Sequence, residues 1–190
     1  MSLITKIQPY GIDVAINEIQ TAIYNFLVDV NKVGWTEYES YPRVYKNKKG
    51  DDVLPEFYEG TNDYFEVLFN DKFKVTSFVL VDDVVNSSLN EGERVFTQRV
   101  SFIFQGLLDE LYPTITHRAD AEMHDDIFRA FDSTEYDVVS YQTGINNVYS
   151  DLTFASLLNE KVNLDDMSNF HFVRFDIEVP YTYDCKINLL

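Results

Sequence analysis

Two hydrophobic periods divide this chain, and together they constrain its fold more than any other feature. Across residues 12–30 (IDVAINEIQTAIYNFLVDV), Ile12, Ile16, Ile19, Ile23, Leu27 and Val30 recur at three- and four-residue spacing. That spacing places them on one stripe of an α-helix. Asp13 and Glu18 lie toward its positive end, and Asn31 and Gly34 mark its stop. Across residues 170–183 (FHFVRFDIEVPYTY) the period drops to two. Val173, Phe175, Ile177, Val179 and Tyr181 fall on one face, and Arg174, Asp176 and Glu178 on the other. Alternation of that kind belongs to a strand. A chain carrying both periods packs helices on a sheet, so the expected class is α+β.

The segments between fit that class. Residues 35–46 (WTEYESYPRVYK) are strand-like, and Pro42 requires an edge or a bulge there because it cannot donate to a ladder. Residues 47–52 (NKKGDD) read as a turn. Residues 64–69 and 73–82 read as strands around Asn70-Asp71, and residues 86–93 as a polar break. In the strand 94–104, Phe96, Val100, Phe102 and Phe104 share one face and Thr97, Arg99 and Ser101 the other, which predicts burial on one side. Residues 105–112 form a helical turn ended by Pro113. Residues 118–132 form a second helix, with Ala121, Ile127, Phe128 and Phe131 as its apolar stripe. Residues 136–142 add a strand, and 152–158 could form a helical turn in the otherwise undecided stretch 145–168. The expectation is a single α+β domain over residues 1–190. Its mostly antiparallel sheet is packed by the N-terminal helix and the central one, and an extended loop or hairpin occupies 43–62.

Composition removes several functional classes. The net charge is −17, yet 45% of residues are hydrophobic and 15% aromatic. A disordered acidic tail lacks such residues, and a general nucleic-acid binder needs a clustered positive field. Apolar runs are too short to span a bilayer, and residues 1–9 do not read as a secretory signal. The single cysteine, Cys185, allows no intrachain disulfide and suits a reducing compartment. Residues 1–50 hold six basic and five acidic side chains, whereas 51–100 hold four and eleven. Four of the basic residues, Arg43, Lys46, Lys48 and Lys49, stand together just before the acid begins. They are either a solvated loop or a patch that docks on an acidic neighbour.

Catalytic signatures are weak. His117, Asp120, His124, Asp125 and Asp126 are the one metal-like grouping, and Asp120 and His124 are four apart on the second helix. The pairs Asp82-Asp83 and Asp165-Asp166 point their members apart on a strand, and Asp near loops has turn-forming reasons. Cys185 could act with His117, His124 or His171, but no spacing selects a partner. No glycine-rich phosphate loop, GxSxG or HExxH occurs. No catalytic residue, cofactor or metal ligand is assigned, and the chain is read as a non-enzyme. The surplus of 13 Tyr and 15 Phe points either to contact surfaces or to cross-strand stacking. Tyr38, Tyr41, Tyr45, Tyr58, Tyr64, Tyr141, Tyr149, Tyr181 and Tyr183 are prominent among them. With the uneven charge, this surplus leads to an expectation of self-association.

The stretches IDVAINEIQTAIYNFLVDV, ERVFTQRVSFIF, HRADAEMHDDIFRAF and FHFVRFDIEVPYTYDC, in that order, resemble the layout of the tail-terminator, or tail-completion, class of tailed-phage neck proteins. The resemblance implies a non-enzymatic virion subunit that closes into a homo-oligomeric ring, hexameric or dodecameric, between portal and tail. DNA would pass along its axis without sequence-specific binding, and no membrane would be involved. The protein would be made in the host cytoplasm and end in the neck or tail of the virion. The candidate ring interface is Arg43, Lys46, Lys48 and Lys49 facing Asp51, Asp52, Glu56 and Glu59, with 120–126 as a further acidic candidate. Two other readings stay open. One is a small acidic metal-assisted hydrolase using His117, Asp120 and His124; the other is an acidic adaptor or nucleic-acid mimic.

Overall fold

The computed structural model describes residues 2–29, 34–60, 63–67, 73–90, 93–150 and 170–182. The described elements are β1 (Ser2–Leu3), α1 (Ile12–Asp29), a 3-10 turn (Trp35–Glu37), β2 (Tyr38–Lys49), β3 (Asp52–Gly60), β4 (Asp63–Glu66), β5 (Val75–Asn90), β6 (Glu93–Leu107), α2 (Leu108–Leu111), α3 (Asp120–Asp132), β7 (Val138–Thr143), α4 (Ile145–Val148) and β8 (Phe170–Thr182). One sheet runs in the order β4-β3-β2-β5-β6-β8-β7, with β1 beside β2. Pairing is antiparallel except for β1 with β2 and β2 with β5. The molecule is therefore α+β with a mostly antiparallel, mixed sheet.

The helical stripe behaves as its period requires. Ile12, Ile16, Ile19, Ile23 and Leu27 are all buried, each contributing about 1.5–3 kcal/mol of apolar burial. With α3 they cover the sheet face carrying Val100, Phe102 and Phe104 of β6 and Val173, Phe175, Ile177 and Val179 of β8. On α3 the buried side chains are Met123, Asp126, Ile127, Ala130 and Phe131. Ala121 is exposed, so the expected stripe is corrected there.

Strand β6 is not half-buried as expected. Residues 100–106 are buried on both faces. A second core (Phe78, Leu80, Ile103, Phe172, with Val44, Leu54, Phe57, Val67, Val148 and Tyr149) occupies the face opposite the helices. This core forms because β3 and the α4 turn bring apolar side chains to that face, which no period within β6 reports.

Of the loop or hairpin expected over 43–62, residues 43–60 form a hairpin, and 61–62 lie outside the described residues. Strand runs to Lys49 and resumes at Asp52, with Lys49 opposite Asp52 across the two-residue turn Gly50-Asp51. Gly50 has φ +65°, a value suited to the first position of a tight hairpin turn. Pro42 sits where the β2–β5 register shifts between Ser40 and Arg43, so a bulge absorbs its missing donor. Strand β4 pairs with β3, and β5 pairs with β2 and β6, so the described parts of 64–69 and 73–82 do not pair with one another; residues 68–72, with the expected turn Asn70-Asp71, lie outside the described residues. The polar stretch 86–93 is no break either. β5 and β6 stay paired out to Asn90 and Glu93, and the stretch is polar because it stands in solvent. The stop of α1, the stretch 152–158, Asp165-Asp166, Tyr183 and Cys185 lie outside the described residues.

Candidate functional site

Strand alternation divides the basic cluster between the two sheet faces. Arg43 and Tyr45 turn toward α1. Arg43 pairs with the buried Asp13 carboxylate (Nη1 to Oδ1, 3.6 Å), and Lys6 donates to both Asp13 and the Tyr45 hydroxyl, the latter at 3.1 Å. Burial works against the Lys6 ammonium, but its bonds to Asp13 and Tyr45 outweigh this and raise its pKa. Lys49 donates to Glu56, which also accepts from Asn47 Nδ2 at 2.7 Å. Burial alone would raise the Glu56 carboxyl; the bonds from Lys49 and Asn47 prevail and lower it.

The predicted basic and acidic patches are thus the two strands of one hairpin. Glu56 and Asp52 are only 3% and 8% exposed, while Lys48, Asp51 and Glu59 face solvent. Of the expected interface set, Arg43 and Lys49 form ion pairs within the chain, Asp52 and Glu56 are buried, and Lys46 and Lys49 are exposed like Lys48, Asp51 and Glu59. Strand alternation does this: Arg43 and Lys49 share one face of β2, where Asp13 of α1 and Glu56 of β3 meet them.

Beyond Arg43 and Val79 strands β2 and β5 diverge. The fork is an open groove of about 690 Å³, lined by Arg43, Val44, Tyr45 and Lys46 on one wall and by Leu80, Asp82, Val84, Val85 and Arg99 among others. A charge chain crosses its floor. Lys46 pairs with Asp82 (3.6 Å), and Asp82 accepts from Arg174 Nη2 (3.2 Å). Arg174 Nε donates to Asp176 (2.8 Å), which also accepts from Ser101 Oγ and Ser140 Oγ at 2.7 Å each. Burial would raise the Asp176 carboxyl, but these three donors and the Arg174 charge lower it. The chain ties five strands together and counts as many anions as cations near the fork, so it reads as an internal brace. Arg174 and Asp176 were legible only as the polar face of β8; their partners Asp82, Ser101 and Ser140 come from three other strands.

The helix α3 cluster disperses. His117 bonds Glu122 (2.8 Å), and Asp125 pairs with Arg129 (3.0 Å). Asp126 turns inward, accepting from Trp35 Nε1 (3.0 Å) and Tyr112 Oη (2.6 Å). Among the described residues no group of three metal-type side chains is gathered, so His117, Asp120 and His124 do not come together as the alternative hydrolase reading required. His124 instead meets His171 of β8, Nε2 to Nε2 at 2.7 Å. Burial, then the charges of His124 and Arg118, lower the His171 pKa to about 4, with Asp120 acting the other way. Burial also lowers His124. Sequence reading offered His171 only as one of three partners for Cys185, because 47 residues separate it from His124.

The aromatic surplus is largely stacked within the molecule. Phe175 packs against Phe104, Phe128, Phe131 and Tyr141, and Phe57–Phe65 and Tyr58–Tyr64 are directly opposed cross-strand pairs. Tyr38, Tyr149 and Tyr181 are buried, whereas Tyr64 and Tyr141 are about half exposed. No described helix is long and apolar enough to cross a membrane. No family model matches the chain, and no curated protein matches it either.

Proposed function

We propose that this protein is a structural subunit of a phage head–tail neck, of the connector or tail-terminator type, acting as a homo-oligomeric ring around the DNA channel. The observation that carries the reading is the β5–β6 arm. The two strands have 16 and 15 residues, so β5 alone spans about 50 Å. Its outer half presents Val84, Val85 and Leu89, 45%, 51% and 72% exposed. Among the described residues β2 leaves β5 beyond Val79, so these side chains lie along an open strand edge, and a neighbouring subunit gives them somewhere to pack. The ring would be six- or twelvefold, its ends meeting portal and tail proteins, its contacts heterologous so that one patch meets another around the circle. An acidic body repels DNA phosphates and lets the genome slide. The arm, with Lys48, Asp51 and Glu59 at its side, replaces the paired charges as the principal contact.

Light scattering with negative-stain microscopy tests this on the full chain. Rings of six or twelve copies that the double variant Val85→Asp/Leu89→Asp reduces to monomers are the expected result. Monomers at all concentrations, also with portal protein added, would overturn it.

A further inference from the structure

Apart from the arm, the least explained feature is the meeting of two imidazoles from different elements. His124 rises from the middle of α3 and His171 from the start of β8, and their Nε2 atoms stand 2.7 Å apart. Their rings lie 4.9 Å apart, and Tyr141 closes one side with its ring 5.7 Å from that of His124. His171 is 7% exposed while His124 is half-buried, so the pair is reached from one side only. We propose that His124 and His171 form a two-imidazole site for a borderline divalent transition metal such as Zn²⁺ or Ni²⁺, clamping α3 to the sheet.

Two observations support the site. Imidazole nitrogen is a borderline donor that suits such metals, and two of them meet here from different elements. The two Nε2 atoms stand 2.7 Å apart, and metal–nitrogen bonds of about 2.0–2.1 Å would need them to part by only about 0.6 Å. The half-exposed His124 can supply that movement. Asp120, one turn earlier on α3, favours positive charge at both rings, and Arg118 outweighs it at His171. Among the described residues no third ligand is gathered, so water completes the shell. Hard ions such as Mg²⁺, which prefer oxygen, have no place here.

The binding reaction changes no oxidation state. The ring that donated Nε2–H moves its proton to Nδ1, and both Nε2 lone pairs pass to the metal. The proposal is independent of ring assembly. Its test is calorimetric titration and thermal unfolding of the full chain with ZnCl₂, NiCl₂ and MgCl₂, using Cys185→Ser as background to remove thiolate binding. One Zn²⁺ or Ni²⁺ per chain with a raised Tm, lost in His124→Gln and in His171→Gln but kept in His117→Gln, is expected. Far-UV circular dichroism checks that the variants fold. A Cu²⁺ spectrum showing two nitrogen ligands, reduced to one in His124→Gln, is the independent signature. Binding by either Gln variant as tight as in the Cys185→Ser background, a response to Mg²⁺ alone, or no binding would overturn the proposal.

Discussion

Asp126 joins three elements through one carboxylate oxygen. It is 3% exposed, and Oδ2 receives both the Trp35 indole and the Tyr112 hydroxyl. Replacing it with Ala would leave two buried donors without an acceptor, at about 1–3 kcal/mol each. Asp126→Ala is therefore expected to lower unfolding stability by about 2–5 kcal/mol in urea titrations, and Asp126→Asn, which keeps an acceptor oxygen, by clearly less. The histidine pair makes a second prediction at this scale. Burial lowers both pKa values, His171 to about 4, so between pH 6.5 and 4 the unfolded chain binds protons that the folded chain refuses. Stability is then fully present above pH 6.5 and is lost as the pH falls through that window. The lowered carboxylates Glu56 and Asp176 add their losses further down, below their ordinary pKa values. With chelator present, stability measured from pH 7 to 5 should fall in the wild type and fall less in His171→Gln; parallel curves would refute the linkage.

At the scale of elements, close approach matters more than propensity. Gly34 has an ordinary φ of −74°, so its need for glycine is spatial. A Cβ there would overlap the carbonyl of Leu111, where the 3-10 turn crosses α2. Gly34→Ala is expected to cost about 2–3 kcal/mol, as overpacking does. Gly50→Ala meets open space and should cost only about 1 kcal/mol through its positive φ. Thermal melts of the two variants decide the order. The same scale explains why the arm was missed. Residues 86–93 contain Asn, Ser and Gly, the usual composition of a loop. In a ribbon that touches solvent on both faces, composition carries no strand signal, and only the backbone ladder holds the pairing.

For the whole molecule the governing quantity is the charge of −17. Complementary charged patches would weaken with added salt, because screening reduces attraction between exposed charges. Apolar arms between acidic bodies behave in the opposite way, since screening first removes the repulsion. Arg43, Lys46 and Lys49 are committed to Asp13, Asp82 and Glu56 of their own chain. Assembly should therefore strengthen as ionic strength rises from about 10 mM to 150 mM, over which the Debye length shrinks from about 30 to 8 Å. Light scattering across that range would show the mass rising; a falling mass would return the interface to the charged residues.

Much of the fold was legible because period is a local property. The stripe of α1, the alternation of β8 and the bulge at Pro42 each follow from residues within one turn or one strand of each other. The candidate site was not, because what a charged side chain does depends on its distant neighbours. The basic cluster was visible as residue types, but whether Lys49 would meet a partner subunit or Glu56 was decided by a two-residue turn. Asp126 looked like one more solvated carboxylate until Trp35 and Tyr112 arrived beside it. His171 gained its meaning from a helix 47 residues away. Sequence alone determined the α+β class, the acidic body and the faces of the regular elements, through short-range periodicity. Tertiary structure decided the second core, the arm, the internal pairing of the charges and the histidine pair, because each is a contact between segments that local energetics cannot bring together.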